Sequence, residues 1–426
     1  TQLNLSKIKD DLKTLGADGW MDGDYLGWYK SYDKFLDESN LRNSFPTVED
    51  LTLKMGHNLH YFHGRIIENA RMMNIADAYV LNGWAGAFTN TDIVDTYRHP
   101  TADPSILRYY SQPLYIAVKI RKKVIPAGTV PIADIFLINE KNLHGPYKLE
   151  LELMAPDGKV VFTKSFNTEI LGGEEFGQLL TERVIMPIAD KNGYYNLKAK
   201  LVNPSGVISA KGSDDLFVVN YINSSVIPQG VSVIDTSGNV NTFLKTTLGV
   251  TLPKFDPAGE RPSSIILGMH NLNVLNIPRI MEMVKQGTRL IILENAQAWL
   301  TYLPVKQIQS SYSSFDGQGL CINGRQFVGK NPLFEGLPQA TAMSWEYQVF
   351  YRRGGPGLLI SPIGLKYVVG VGQTNTGTIG IALCQVPYGM GEILISTLDI
   401  IPNLTNNRPD CAVAKKLFMN MLRISE

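Results

Sequence analysis

The spacing of apolar residues changes twice along this chain, and each change restricts what the stretch can become. From Val48 to Asn74 the residues Leu51, Met55, Leu59, Phe62, Ile66, Ile67 and Ala70 recur every three or four positions, the spacing of one face of an α-helix. Thr47 and Asp50 give that helix a capping-box-like start. Between about 113 and 222 the period falls to two: Leu149, Leu151 and Leu153 alternate with Lys148, Glu150 and Glu152, and Leu197, Ala199 and Leu201 with Lys198 and Lys200. A half-buried antiparallel sheet has that period. Turn signals punctuate it at Ala155-Pro156-Asp157-Gly158, Asp190-Lys191-Asn192-Gly193 and Asn203-Pro204-Ser205-Gly206.

Short strands with regular turns in about 110 residues predict an immunoglobulin-like β-sandwich over 113–222, without the cysteine pair of antibody domains. After Pro228 strands and helices alternate: Val231–Ile234, Val240–Leu248, Ser263–Leu267, Ile277–Gln286 and Arg289–Leu293. The order strand, helix, strand predicts a parallel sheet covered on both faces, so 229–426 reads as a flavodoxin-like α/β domain. Gly287 stands where a C′ glycine would end the helix Ile277–Gln286. The tail adds strands at Ile379–Leu383 and Ile393–Ile395 and a closing helix with Val413, Leu417, Met421 and Leu422 inward.

Residues 1–112 are aromatic and irregular, holding Trp20, Trp28 and Trp84. The helix from Val48 leads into a short strand, Tyr79-Val80-Leu81, closed by Gly83, the helix–strand order of a last barrel step. The expected fold is multidomain α+β and α/β, with a partial TIM-barrel remnant over 1–112. A chain of 426 residues suits about three domains at roughly 150 residues each. Lys+Arg 40 against Asp+Glu 39 lacks the basic excess that nucleic acid demands. No apolar run approaches the roughly 20 residues of a membrane helix. Cys321, Cys384 and Cys411 are too few and scattered for a disulfide framework or a zinc site. The opening Thr-Gln-Leu-Asn-Leu-Ser has no basic n-region and no apolar h-region.

The wording Tyr79-Val80-Leu81-Asn82-Gly83-Trp84, Val94-Asp95-Thr96-Tyr97-Arg98 and Gln112-Pro113-Leu114-Tyr115 resembles the join of barrel and sandwich in family 2 glycoside hydrolases of the β-galactosidase type. Residues 229–426 are similar to the class I glutamine-amidotransferase-like domain appended to such enzymes, through Asn331-Pro332-Leu333-Phe334-Glu335-Gly336-Leu337 and Pro387-Tyr388-Gly389-Met390-Gly391. The resemblance implies an extracellular or periplasmic carbohydrate enzyme. Its two catalytic carboxylates would lie on barrel strands before the last one. A whole barrel takes about 250 residues, so this chain is expected to lack that pair, to need the missing N-terminal part of the same polypeptide, and to be inactive alone.

Two residues are expected to touch sugar in the intact parent: Trp84, whose ring stands at the barrel's C-terminal face, and Asn82 beside it. Asn139-Glu140 matches an acid/base pair superficially but ends a sandwich strand, and a structural role is expected. His57, His60 and His63 suggest a metal cluster, yet helical spacing turns His63 about 120° from the others. Asp95 and Arg98 are expected to form a structural pair. An active amidotransferase needs a cysteine elbow; Glu294-Asn295-Ala296 stands there instead, and Gly319-Leu320-Cys321 lacks the second glycine. No cofactor is expected.

Three functions fit these residues: the supporting C-terminal portion of a glycosidase, able to form a homo-oligomer; a free-standing carbohydrate-binding or assembly module; and an independent hydrolase using Trp84, Asp92 and Asp95. Under the second, the apolar face of the helix from Val48 should be fully covered by this chain.

Overall fold

The computed structural model describes residues 3–74, 78–80, 84–86, 93–222, 227–308, 326–350, 357–372 and 377–423. They group into two compact units, one of 57–84 with 102–221 and the other of 1–56, 85–101 and 222–426.

The first unit carries the β-sandwich. Its five-stranded sheet runs in the order Val124–Pro126, Ile208–Val219, Gly193–Val202, Gly145–Met154, Val160–Ile170, and its three-stranded sheet in the order Leu114–Ile120, Ile132–Asn139, Gly177–Ile185. All neighbours are antiparallel except Val124–Pro126, which pairs in parallel with Phe217–Val219. The expected alternation holds: Leu149, Leu151, Leu153, Leu197, Ala199 and Leu201 are buried against Ile116, Ile135 and Leu137 of the other sheet. Each such leucine or isoleucine stabilises the sandwich by about 1.5–3 kcal/mol.

Two of the four edge strands carry features that oppose foreign pairing. Along the edge strand Val160–Ile170, Lys164 faces inward opposite Leu151 and lays its ammonium 4.9 Å from the Phe166 ring, an inward charge that opposes pairing with a foreign strand. The other edge is irregular, with register shifts at Ile135 and a left-handed Arg183 (φ 51°) whose N–H donates to Asp134 Oδ1 at 2.8 Å.

The second unit carries the α/β sheet. Val231–Ile234, Ser264–Leu267, Arg289–Ile292 and Gly391–Ser396 pair in parallel, in that order. Val233 is also bridged in parallel by Lys254, with Val233 N–H donating to Pro253 O and Phe255 N–H to Val233 O, both at 3.0 Å. With 253–255 counted as a short second strand, the parallel order is 2-1-3-4-5. Four antiparallel strands then extend the sheet: Ile379–Tyr388, Lys366–Gly372, Gln326–Val328 and Thr341–Ala342. The helix Ile277–Lys285 buries Ile277, Ile280, Met281 and Val284 and is followed by Gly287 at φ 110°.

Two expectations change. Residues 1–112 do not form one body. The helices α1 (Leu5–Leu15) and α2 (Asp22–Glu38), and the start of α3 (Val48–Met72), belong to the α/β unit. Leu5, Ile8, Tyr25, Tyr32, Leu36 and Leu51 share one core with Ile265, Ile280, Trp299 and Ile395. The rings of Phe35 and Phe45 meet Phe327 edge-on at 5.8 and 6.0 Å.

Nor is Tyr79-Val80 a strand. Residues 78–80 have no ladder partner among the described residues, and Val80 is 90% exposed; strand-like residues form a strand only where a neighbour takes their N–H and C=O groups. Leu81, Asn82 and Gly83 lie outside the described residues.

Candidate functional site

The junction segment spends its polar groups on the fold. Ala85–Gly86 pairs in parallel with Val94–Asp95. The Asp95 carboxylate, fully buried, accepts from Tyr97 N–H at 2.9 Å and His99 N–H at 3.0 Å and faces His99 Nδ1 at 3.1 Å. Burial pushes its pKa up, and the hydrogen bonds from His99 oppose that. The other ring nitrogen, Nε2, stands 3.1 Å from Asp11 Oδ2 on α1. Tyr97 Oη donates to Asp22 Oδ1 at 2.7 Å, and Tyr25 Oη and Thr96 Oγ1 share a hydrogen bond of 3.1 Å.

The expected Asp95–Arg98 pair is therefore corrected. Asp95 pairs with His99, while Arg98 is exposed at φ 70° and gives only its N–H to Asp95 O. A buried carboxylate so engaged cannot meet a substrate, which removes one acid of the independent-hydrolase reading; Asp92 lies outside the described residues. Trp84 is 64% exposed. Asn82, its expected companion, is not among the described residues.

A cleft of about 660 Å³ opens in the sandwich unit, lined by Arg71 and Asn74 from the end of α3, by Tyr79, by Glu140, and by Glu174, Glu175 and Phe176. Ala70 and Arg71 stand in the last turn of α3 (Val48–Met72), and Asn74 follows in the turn beyond it at φ 51°. Asn139 closes the strand Ile132–Asn139: its Oδ1 accepts from Leu143 N–H and its Nδ2 donates to Leu143 O. That turn aims Glu140 at Arg71. Arg71 Nε and Nη2 reach Glu140 Oε1 at 2.9 and 2.7 Å, Nη1 donates to Tyr110 O, and Nη2 donates to Gln112 O. Glu140 is thus structural in part, as expected, yet it lines a cleft that sequence did not reveal; the fact that Arg71 is buried depends on partners 39 to 69 positions away.

Beside the cleft α3 buries a polar face. Glu68 lies 3.0 Å from both Arg65 and Lys119, and Asp214 takes Arg65 at 3.4 Å and Lys123. Burial lowers the pKa of Lys119 and Lys123 while these carboxylates raise it. His60 is fully buried, and burial holds it down to about 4, so it is neutral near pH 7. No group of three metal-ligating side chains occurs among the described residues.

In the α/β unit the turn after Arg289–Ile292 places Asn295 in the left-handed region (φ 57°) ahead of the helix Ala296–Trp299. Its amide donates to His270 O at 2.9 Å. Trp299 Nε1–H donates to His270 Nε2 at 2.9 Å. Since indole only donates, the His270 proton sits on Nδ1, which gives it to Gly268 O at 2.7 Å. Asp235 accepts from Ser237, Val240 and Met269 N–H groups and caps the helix Asn239–Leu248. Cys384 is buried and pushed up to about 12; Cys321 lies outside the described residues.

No family model and no curated protein matches the sequence. Solved structures with a partial likeness include a glycosyl hydrolase family 2 member from Bacteroides cellulosilyticus, at 11% identity over 42% of this chain and 26% of that one, TM-score 0.22. A Bacteroides uniformis β-glucuronidase shows 12% identity over 42% of this chain and 22% of that one, TM-score 0.20. An Amycolatopsis orientalis exo-chitosanase shows 14% identity over 37% of this chain and 18% of that one, TM-score 0.27. The chain spans about a quarter or less of the length of each. At these scores none of them establishes a shared fold.

Proposed function

We propose that this chain is the rear portion of a β-galactosidase-like glycoside hydrolase, supporting a catalytic barrel that other residues of the same polypeptide complete. The observation that carries the reading is the bare apolar junction: Val80 is 90% exposed and Trp84 64%, in a segment worded like the last strand of a barrel. A covering barrel would give Tyr79 to Trp84 ladder partners and turn Trp84, with Asn82, toward the sugar. Two of the carboxylates singled out in the sequence are engaged, Asp95 by burial and Glu140 by Arg71, which fits a chain inactive alone. In the same reading the α/β domain is flavodoxin-like, supported by the 2-1-3-4-5 order. It is non-catalytic, supported by Asn295 at the elbow, and serves packing or homo-oligomerisation.

The free-standing module expects full cover of α3, whereas Ile66 is 63% exposed; the cleft at Tyr79 is what favours it. Chromogenic β-galactosides assayed with the chain alone and with the upstream segment added separate the two. Turnover only with the upstream segment is expected; turnover by the chain alone overturns the proposal.

A further inference from the structure

We propose that the cleft between Tyr79 and Phe176 binds an organic ammonium ion, with the two rings as its walls and Glu174 and Glu175 supplying the opposing charge. The inference rests on the cleft as the chain alone forms it, and its test uses the chain alone.

The rings come first. Tyr79 and Phe176 belong to separate segments, line one hollow, and are 46% and 45% exposed. Two aromatic faces in a cleft of ligand size are an apolar surface that also attracts cations through the ring quadrupole.

Charge then selects among ligands. Arg71, the one cation among the described lining residues, is consumed by Glu140 and by the carbonyls of Tyr110 and Gln112. Glu140 is thereby neutralised. Glu174 and Glu175 have no ion-pair partner among the described residues. An anion would meet two carboxylates and, among the described side chains of the lining, the Tyr79 hydroxyl as its one donor. A neutral polyol needs several donors as well as acceptors, but the Asn74 amide is spent at both ends, its Nδ2 donating to Gly177 O at 2.6 Å and its Oδ1 accepting from Gly177 N–H at 2.7 Å, which leaves the Tyr79 hydroxyl as the side-chain donor among the described lining residues. What remains is a site of two carboxylates and two rings, complementary to a group that carries positive charge.

The walls are preformed. The Asn74–Gly177 pair fastens the loop carrying Phe176 to the end of α3, and Gly177 lies so close that a Cβ there would stand 2.4 Å from Met72 O.

Choline and 3,3-dimethylbutan-1-ol have the same shape and differ in charge, as glucosamine and glucose nearly do. Isothermal titration of the full chain with each pair tests the proposal and tells a headgroup-type from a sugar-type source. The charged member of at least one pair is expected to bind about tenfold or more tighter than its neutral twin. That preference should be lost in the Glu174→Gln/Glu175→Gln double variant and weakened in Tyr79→Leu, all exposed positions at which thermal melts check folding. Equal affinity within both pairs, no saturable binding of either cation, or binding unchanged in the variants overturns it.

Discussion

Arg71 shows how much of a local structure one side chain can hold. It sits buried beneath a cleft, donates to two backbone carbonyls and fixes a carboxylate; a planar guanidinium can serve all of these at once, an ammonium cannot. Arg71→Met is expected to lower the unfolding free energy of the sandwich unit by about 2–4 kcal/mol, since it strands two carbonyls and Glu140 together. Arg71→Lys should recover less than half of that in urea titrations followed by far-UV circular dichroism. Nothing near Arg71 in the sequence announces this. By contrast, the Thr47–Asp50 capping box is legible because both partners are local: Asp50 N–H donates to Thr47 Oγ1 at 3.1 Å and Thr47 N–H returns to Asp50 Oδ2 at 2.8 Å.

At the scale of elements, α3 is half legible. Its length and first half follow the apolar period, with Leu51 and Met55 buried. Past residue 57 the buried face turns polar: Asn58, His60, Glu68 and Arg71 are inside and Ile66 is outside. An apolar period cannot see a face buried through ion pairs, because the partners Lys119, Lys123 and Asp214 lie far along the chain. The consequence for pH follows from His60. Its pKa falls from 6.5 unfolded to about 4 folded, so the unfolded state binds the extra proton between those values. Its contribution is full above pH 6.5 and is lost as pH falls toward 4. Urea midpoints should drop over that window, and His60→Met should flatten the His60 part of the slope; a wild-type slope unchanged in the variant would rule this out.

For the whole molecule, the sandwich and the βαβ run were readable because a period of two and a strand–helix alternation each admit few folds. The placement of α1 and α2 was not, since an apolar stripe does not name its partner. Leu5, Ile8, Tyr25, Trp28, Tyr32, Phe35 and Leu36 are all buried in the α/β core. At about 1.5–3 kcal/mol each they together match or exceed the margin of roughly 5–15 kcal/mol by which a domain is stable. A chain beginning at Val48 should therefore lose cooperative unfolding of the α/β unit and bind a hydrophobic dye; retention of a sharp calorimetric transition for that unit would contradict this.

The Phe45–Phe327 contact also sets a clock. Phe327 is synthesised roughly 280 residues after Phe45, and at about 5–20 residues per second the first helices wait some 15–60 seconds for the surface they bury against. During that interval the apolar faces of α1 and α2 are held in the open on a growing chain. Ribosome-bound chains arrested before Val231 are therefore expected to bind a holdase-type chaperone at α1 and α2.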